Sequence, residues 1–196
     1  MKDPFEQLDL RRSFDVDLDE LARRYQRLSR SLHPDRFVRE GASARRYAAS
    51  LAADAQTAFD ILADDYRRAL FLLSDFDSAA TSDFENDQET VADSEFLATQ
   101  FEWREQFEDL SADDDRAFVD FADRLRRARS VQRDLLAAAF DDDGRPSDPS
   151  TARLLAHRLR FFDRLLEDVE RKERRKRADA RAGDSNVFAE SMSPKS

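Results

Sequence analysis

The stretch LSRSLHPDRFVREG, residues 28–41, carries one of only two histidines in the 196-residue chain. His33 and Asp35 flank Pro34, so an imidazole, a carboxylate and a fixed backbone meet at the end of a helical pattern. Three kinds of chemistry fit such a triplet. A metal site would need further ligands at helical spacing, and neither His33 nor His157 has an i+3 or i+4 ligand partner. Catalysis through His33 and Asp35 is the second, and the sequence offers it no Gly-rich phosphate loop and no nucleophile elbow. The third reading is a docking turn. Pro34 fixes the backbone, and Asp35 offers a carboxylate to a cation of another protein.

The elements around the turn favour docking. Asp17 and Glu20 read as a capping-box variant. Leu18, Leu21, Tyr25, Leu28 and Leu32 then follow at spacings of 3 and 4, an amphipathic helix. Arg23, Arg27 and Arg30 fall on its polar face and Arg24 borders it, which suits association with an acidic surface. Pro34 ends this helix. After Gly41 come Ala48, Leu51, Ala55, Ala58 and Leu62, and then a shorter helix with Tyr66, Ala69, Leu70 and Leu73. Asp3 and Pro4 open a short first helix. Residues 1–76 are therefore expected to form an antiparallel helical hairpin with two short helices.

Residues 77–95 hold seven acidic residues and no basic one, and 77–92 reads as an acidic linker. Three amphipathic helices follow in 93–178, an antiparallel bundle. The first starts near Ser94, with Phe96, Trp103, Phe107 and Leu110 on its inner face. The second starts at a Ser111 cap, with Phe118, Phe121, Leu125, Ala128, Leu135 and Ala139. The third, from Asp148-Pro149, carries Leu155, Leu159, Phe162, Leu166 and Val169. Residues 179–196 have no apolar period and are expected to be disordered. Leu97 and Phe101 lie off the inner face beside Ala98, Glu102 and Glu105, and Phe161 lies off the third stripe beside Arg160. Apolar side chains rimmed by charge fit a protein-binding surface. Burial against another part of the fold would account for them equally well.

Composition narrows the classes further. The chain has no cysteine, which excludes disulfides, thiolate metal sites and thiol catalysis. With 33 basic against 43 acidic residues the formal charge is -10, against general nucleic-acid or anionic-membrane binding. No apolar run approaches 18 residues, and the first ten residues lack signal or transit character. A cytoplasmic, all-α protein is expected. Asp141-Asp142-Asp143-Gly144 lacks the alternating spacing of a calcium loop and reads as a solvated turn. The basic run Arg171–Arg177 reads as a favourable helix end.

With its flanks, His33-Pro34-Asp35 resembles the J-domain motif of DnaJ-class co-chaperones. DSEFLATQFEWREQFEDL (93–110) and RLRFFDRLLEDVE (158–170) resemble the first and last helices of the C-terminal domain of HscB, the iron–sulfur co-chaperone family. The resemblance covers residues 3–175. It implies a J-domain, 1–76, that stimulates ATP hydrolysis by a heat-shock protein 70 chaperone of the HscA or DnaK type. His33, Pro34 and Asp35 match the stimulation motif, and Arg23, Arg24, Arg27 and Arg30 its docking face. It implies a C-terminal domain that binds the scaffold IscU. Leu97, Ala98, Phe101, Glu102, Glu105, Arg160 and Phe161 match that face. Ala98 departs toward a smaller side chain than the family carries, Phe101 stands where leucine is common, and the N-terminal cysteine module of eukaryotic members is absent. The resemblance implies no cofactor and no enzymatic chemistry in this chain.

Overall fold

The computed structural model describes residues 2–37, 41–78, 80, 94–111 and 114–191. Most of the expected acidic linker and the last five residues of the tail lie outside the described residues. The helices are α1 (Pro4–Gln7), α2 (Leu18–Ser31), α3 (Ala42–Ala63), α4 (Asp65–Leu73), α5 (Leu97–Glu108), α6 (Asp115–Ala137) and α7 (Pro149–Ser191), with a 3-10 turn, η1, at Pro34–Phe37. Among the described residues the only β pairing is the isolated bridge Phe140–Pro146. The fold is all-α.

Local capping sets most of the helix starts. Asp3 Oδ1 accepts the Phe5 and Glu6 amides, with Pro4 in the first turn. Asp17 Oδ1 accepts the Asp19 and Glu20 amides, and Asp64 Oδ1 accepts that of Arg67. Each satisfies amides that the helix leaves unpaired. The expected capping box at α2 is half formed: Glu20 turns to Arg23 and Arg24 instead of back to Asp17. α6 starts at an Asp114 cap, whose Oδ1 accepts the Ala117 amide at 2.9 Å, and not at Ser111. α5 begins at Leu97, after a turn through Ser94–Phe96.

The chain packs as two units. The first comprises Met1–Val91 together with Gln132–His157; the second comprises Ala92–Val131 and Arg158–Ser196. The stretch 132–157, expected within a 93–178 domain, thus packs with the N-terminal helices. In that first unit α2 and α3 form a hairpin, with Tyr25 and Phe59 ring centroids 4.6 Å apart and the Tyr25 hydroxyl bonded to Gln56. Ala48, Ala55 and Ala58 are buried on α3, where small side chains let a neighbouring helix approach closely. Leu18, expected on the apolar stripe, is exposed.

α4 is buried on more sides than its stripe predicts. Besides Tyr66, Ala69, Leu70 and Leu73 it buries Leu72 and Arg68. The reason is the segment 132–157, which closes over it. Phe140 stacks on Phe14 at 5.2 Å and 5°. Gly144 sits at φ 72°, and a Cβ there would lie 2.9 Å from Leu72 Cδ2. Arg68, 1% exposed, donates Nε to Phe14 O at 2.7 Å and its two terminal nitrogens to Leu62 O and Asp65. Burial pulls this guanidinium below the ordinary arginine range, and Asp65 opposes the shift. Arg133 of α6 adds ion pairs to Asp15 at 2.6 Å and Asp65 at 3.6 Å. The same packing explains why Leu136, and not Leu135, is the buried residue near the end of α6.

The second unit has a core of Phe96, Phe118, Phe121, Ala122, Leu125, Phe161, Phe162, Leu165 and Val169, flanked by Trp103, Phe107 and Leu110. The inner face read for α5 is therefore the one that packs. α7 continues as helix to Ser191, so the described backbone of 179–191, expected from its lack of an apolar period to be disordered, is helical.

Two substitutions test the closure over α4. Arg68→Met leaves Asp65 and two carbonyls without their buried donor and should cost about 3 kcal/mol. Gly144→Val forces a branched side chain into a positive-φ turn against Leu72 and should cost about 2 kcal/mol. Urea unfolding of each variant measures both losses.

Candidate functional site

α2 ends at Ser31, and the backbone amide of Leu32 closes its last turn on Leu28 O at 3.1 Å. The chain then enters η1, where the Arg36 amide bonds His33 O at 3.0 Å. His33 and Asp35 stand in solvent, their side chains 61% and 87% exposed. In the neutral ring, His33 Nδ1 accepts the Asp35 amide at 3.4 Å. It also lies 3.5 Å from Asp35 Oδ2, within ion-pair reach once protonated. The turn therefore presents a largely unshielded carboxylate and an imidazole, both available to a partner. Among the described residues no group of three or more histidine, aspartate or glutamate side chains is placed to hold a metal ion.

The four arginines of α2 are not equivalent. Arg24 donates to Glu20 at 2.6 Å and Asp9 at 2.7 Å, and Arg23 donates to Glu20 at 3.0 Å. The bond from Arg24, then that from Arg23, holds the Glu20 carboxyl below its ordinary value. A lowered carboxyl gives a stabilising contribution that is complete above the unfolded-state value and lost as pH falls through the folded one. At neutral pH, Arg23 and Arg24 are thus already paired. Arg27 and Arg30 have no carboxylate partner among the described residues; Arg30 bonds only Gln26 O, at 3.1 Å. These two are the cations left for an external acidic surface. Beside them runs an open groove of about 380 Å³, lined by Gln7, Leu8, Asp9, Arg24, Arg27, Leu28 and Ser31. The α1 end of that groove had no sequence signal, because it depends on how α1 packs.

On α5, Leu97 is 49% and Phe101 67% exposed, and Ala98, Glu102 and Glu105 are exposed beside them. Their spacings of 1, 3, 1 and 3 put all five on one strip of the helix. Phe161 does not join it as a surface residue. It is 9% exposed and belongs to the core, edge-on to Phe96 at 5.5 Å and Phe162 at 5.3 Å, with Arg104 of α5 5.7 Å from its ring centroid. Phe96 enters from the turn before α5 and covers it, so a stripe drawn along α7 alone misplaces Phe161. Arg160 is half-buried, with Nη1 3.6 Å from Glu167.

Comparison with known proteins gives these features a family. Residues 92–170 match the family model described as the HSCB C-terminal oligomerisation domain. A co-chaperone protein HscB homolog of Aeromonas hydrophila is 34% identical over 171 residues, 85% of this chain and 94% of that protein. The co-chaperone protein HscB of Proteus mirabilis is 32% identical over 175 residues, 88% of this chain and 96% of that protein. Among solved structures, chaperone HscB from Vibrio cholerae superposes with a TM-score of 0.72 at 27% identity, covering 89% of this chain and 99% of that one. Human co-chaperone protein HscB shares the fold, with a TM-score of 0.73 at 24% identity, over 88% of this chain and 83% of that one. These relatives, matched over most of their length, place the all-α chain among co-chaperones. The chain belongs to the HscB co-chaperone family. Among the described residues no helix is long and apolar enough to cross a membrane.

The split between surface and core on the two phenylalanines is directly testable. Phe101→Ala should change stability by less than about 0.5 kcal/mol. Phe161→Ala should cost about 3 kcal/mol. Equal losses in urea unfolding would contradict the assignment of Phe161 to the core and Phe101 to the surface.

Proposed function

We propose that this chain couples an iron–sulfur scaffold to a chaperone: its J-domain, residues 1–76, stimulates ATP hydrolysis by a heat-shock protein 70 chaperone of the HscA or DnaK type, and its 93–178 region binds and delivers IscU. The observation that carries the reading is the exposed His33-Pro34-Asp35 turn at the end of α2, next to Arg27 and Arg30. Asp35 accepts from a cation of the chaperone, and the arginines steer association. Stimulation needs no chemistry from this chain. It requires that the turn bind the hydrolysis-competent conformation of the chaperone better than the resting one. A tenfold preference corresponds to about 1.4 kcal/mol, the scale of one or two charge-assisted hydrogen bonds.

The scaffold face is Leu97, Ala98, Phe101, Glu102 and Glu105 on α5, with Arg160 of α7. Two exposed apolar side chains ringed by carboxylates suit a partner with a small apolar surface rimmed by cations. The chain works in the cytoplasm without a cofactor of its own. Burial of Phe161 leaves a smaller apolar face than seven residues would make, and this favours one alternative: a J-domain co-chaperone for a different client.

Single-turnover ATP hydrolysis by the chaperone separates the two. Wild type should accelerate hydrolysis, and IscU should add to the acceleration. His33→Gln should abolish the gain in both cases. Acceleration that IscU leaves unchanged would move the client elsewhere, and no acceleration would contradict the J-domain reading.

A further inference from the structure

α5 meets the core through partly buried aromatic residues. None of its residues is fully buried, no side chain caps its N-terminus, and its last turn carries no basic residue of its own. A 12-residue helix of this kind is marginal by itself in water. Its Trp103 and Phe107 pack on Phe121 and Phe162 of the core, and a set of cations from α6 and α7 adds to that packing, set against its aromatic residues and their neighbours. Arg124 lies 5.4 Å from the Trp103 ring centroid and bonds Gln106. Arg158 lies 5.4 Å from the ring of Phe96, the residue that leads into α5.

The C-terminal end of α5 is held by Lys172 of α7. Its Nζ donates to Phe107 O at 3.3 Å and Leu110 O at 2.9 Å. It also lies 5.0 Å from the Phe107 ring centroid and 5.4 Å from that of Phe118. Phe107 O belongs to the last turn, where the helix dipole is negative, and locally it accepts the Leu110 amide only at 3.4 Å. An ammonium supplied from another helix therefore does at once what a cap, a charge in the last turn and a cation–π contact do separately. Lys176, one turn on, pairs with Asp115 at the start of α6. Lys172 lies just beyond the residues 92–170 that match the family model.

We propose that Lys172 is the positioning residue that holds α5 in place, and through it the exposed strip from Leu97 to Glu105. This deepens the reading of α5 as the scaffold face and rests on it. The charge does the positioning and the stem only packs, because methionine could keep the stem contacts but could not bond the two carbonyls.

Trp103 is the chain's single tryptophan and sits in the middle of α5, so its fluorescence reports α5 alone. In the full chain, Lys172→Met should make Trp103 more readily quenched by acrylamide and speed amide exchange over 97–108 about tenfold. It should weaken IscU binding about two- to fivefold, because only the docked fraction binds. Lys172→Arg should restore all three readouts, which a general loss of packing would not allow. Chaperone stimulation without IscU should stay at the wild-type level. Wild-type quenching and exchange in Lys172→Met would overturn the role of Lys172. Loosened α5 with unchanged IscU binding would leave the role standing and overturn the assignment of the scaffold face to α5.

Discussion

A guanidinium cannot be buried without partners, and the first unit is organised around meeting that condition for Arg68. The acceptors come from three places in the chain: Phe14 O before α2, Leu62 O at the end of α3, and Asp65 at the start of α4. Arranging them fixes how these segments meet. Phe14, 5.0 Å from the Arg68 guanidinium and 5.5 Å from that of Arg133, then offers a flat face that Phe140 stacks on. A residue of α4 thereby helps recruit a segment some 70 positions later in sequence to close over α4. The turn at Pro34–Phe37 takes no part in that closure. The His33 and Asp35 side chains stay in solvent.

This division between charges used inside and charges left outside runs through the molecule. Arg23, Arg24 and Arg68 are engaged by carboxylates of their own chain. Arg27, Arg30 and Asp35 are left exposed, where they cost little and can be recognised. The second unit uses its cations structurally as well, with Lys172 on carbonyls and Arg129 on Asp163 at 2.6 Å. A formal charge of -10 thus coexists with a local basic face on α2, and the net charge alone says little about where a partner docks.

What was legible in the sequence was local. Asp3, Asp17 and Asp64 cap within three residues of themselves, so type and spacing suffice to read two of these helix starts in advance. Leu97 and Phe101 were legible as lying off the inner face of α5, which was already complete without them, but their exposure depends on what else packs there and is given by the structure. The misreadings are non-local. Phe161 is buried by Phe96, a residue outside any helix, and Leu136 displaces Leu135 because it faces a different set of neighbours from those of the first turns of α6. Nothing in the order of residues marks Arg68 for the interior, since an arginine near Asp64 and Asp65 reads as a surface ion pair. The His-Pro-Asp turn is a special case. Its geometry was readable from Pro34, but its use was read from resemblance to a family.

The central claim is that one chain joins a chaperone to a scaffold. Sedimentation velocity of fluorescently labelled IscU with ATP-bound chaperone tests it most directly. The account predicts that adding the chain shifts more labelled IscU into the chaperone's boundary, and that Asp35→Asn removes the added fraction while the chain still binds IscU. A shift that survives Asp35→Asn, or no shift when both binary contacts are saturated, would contradict it.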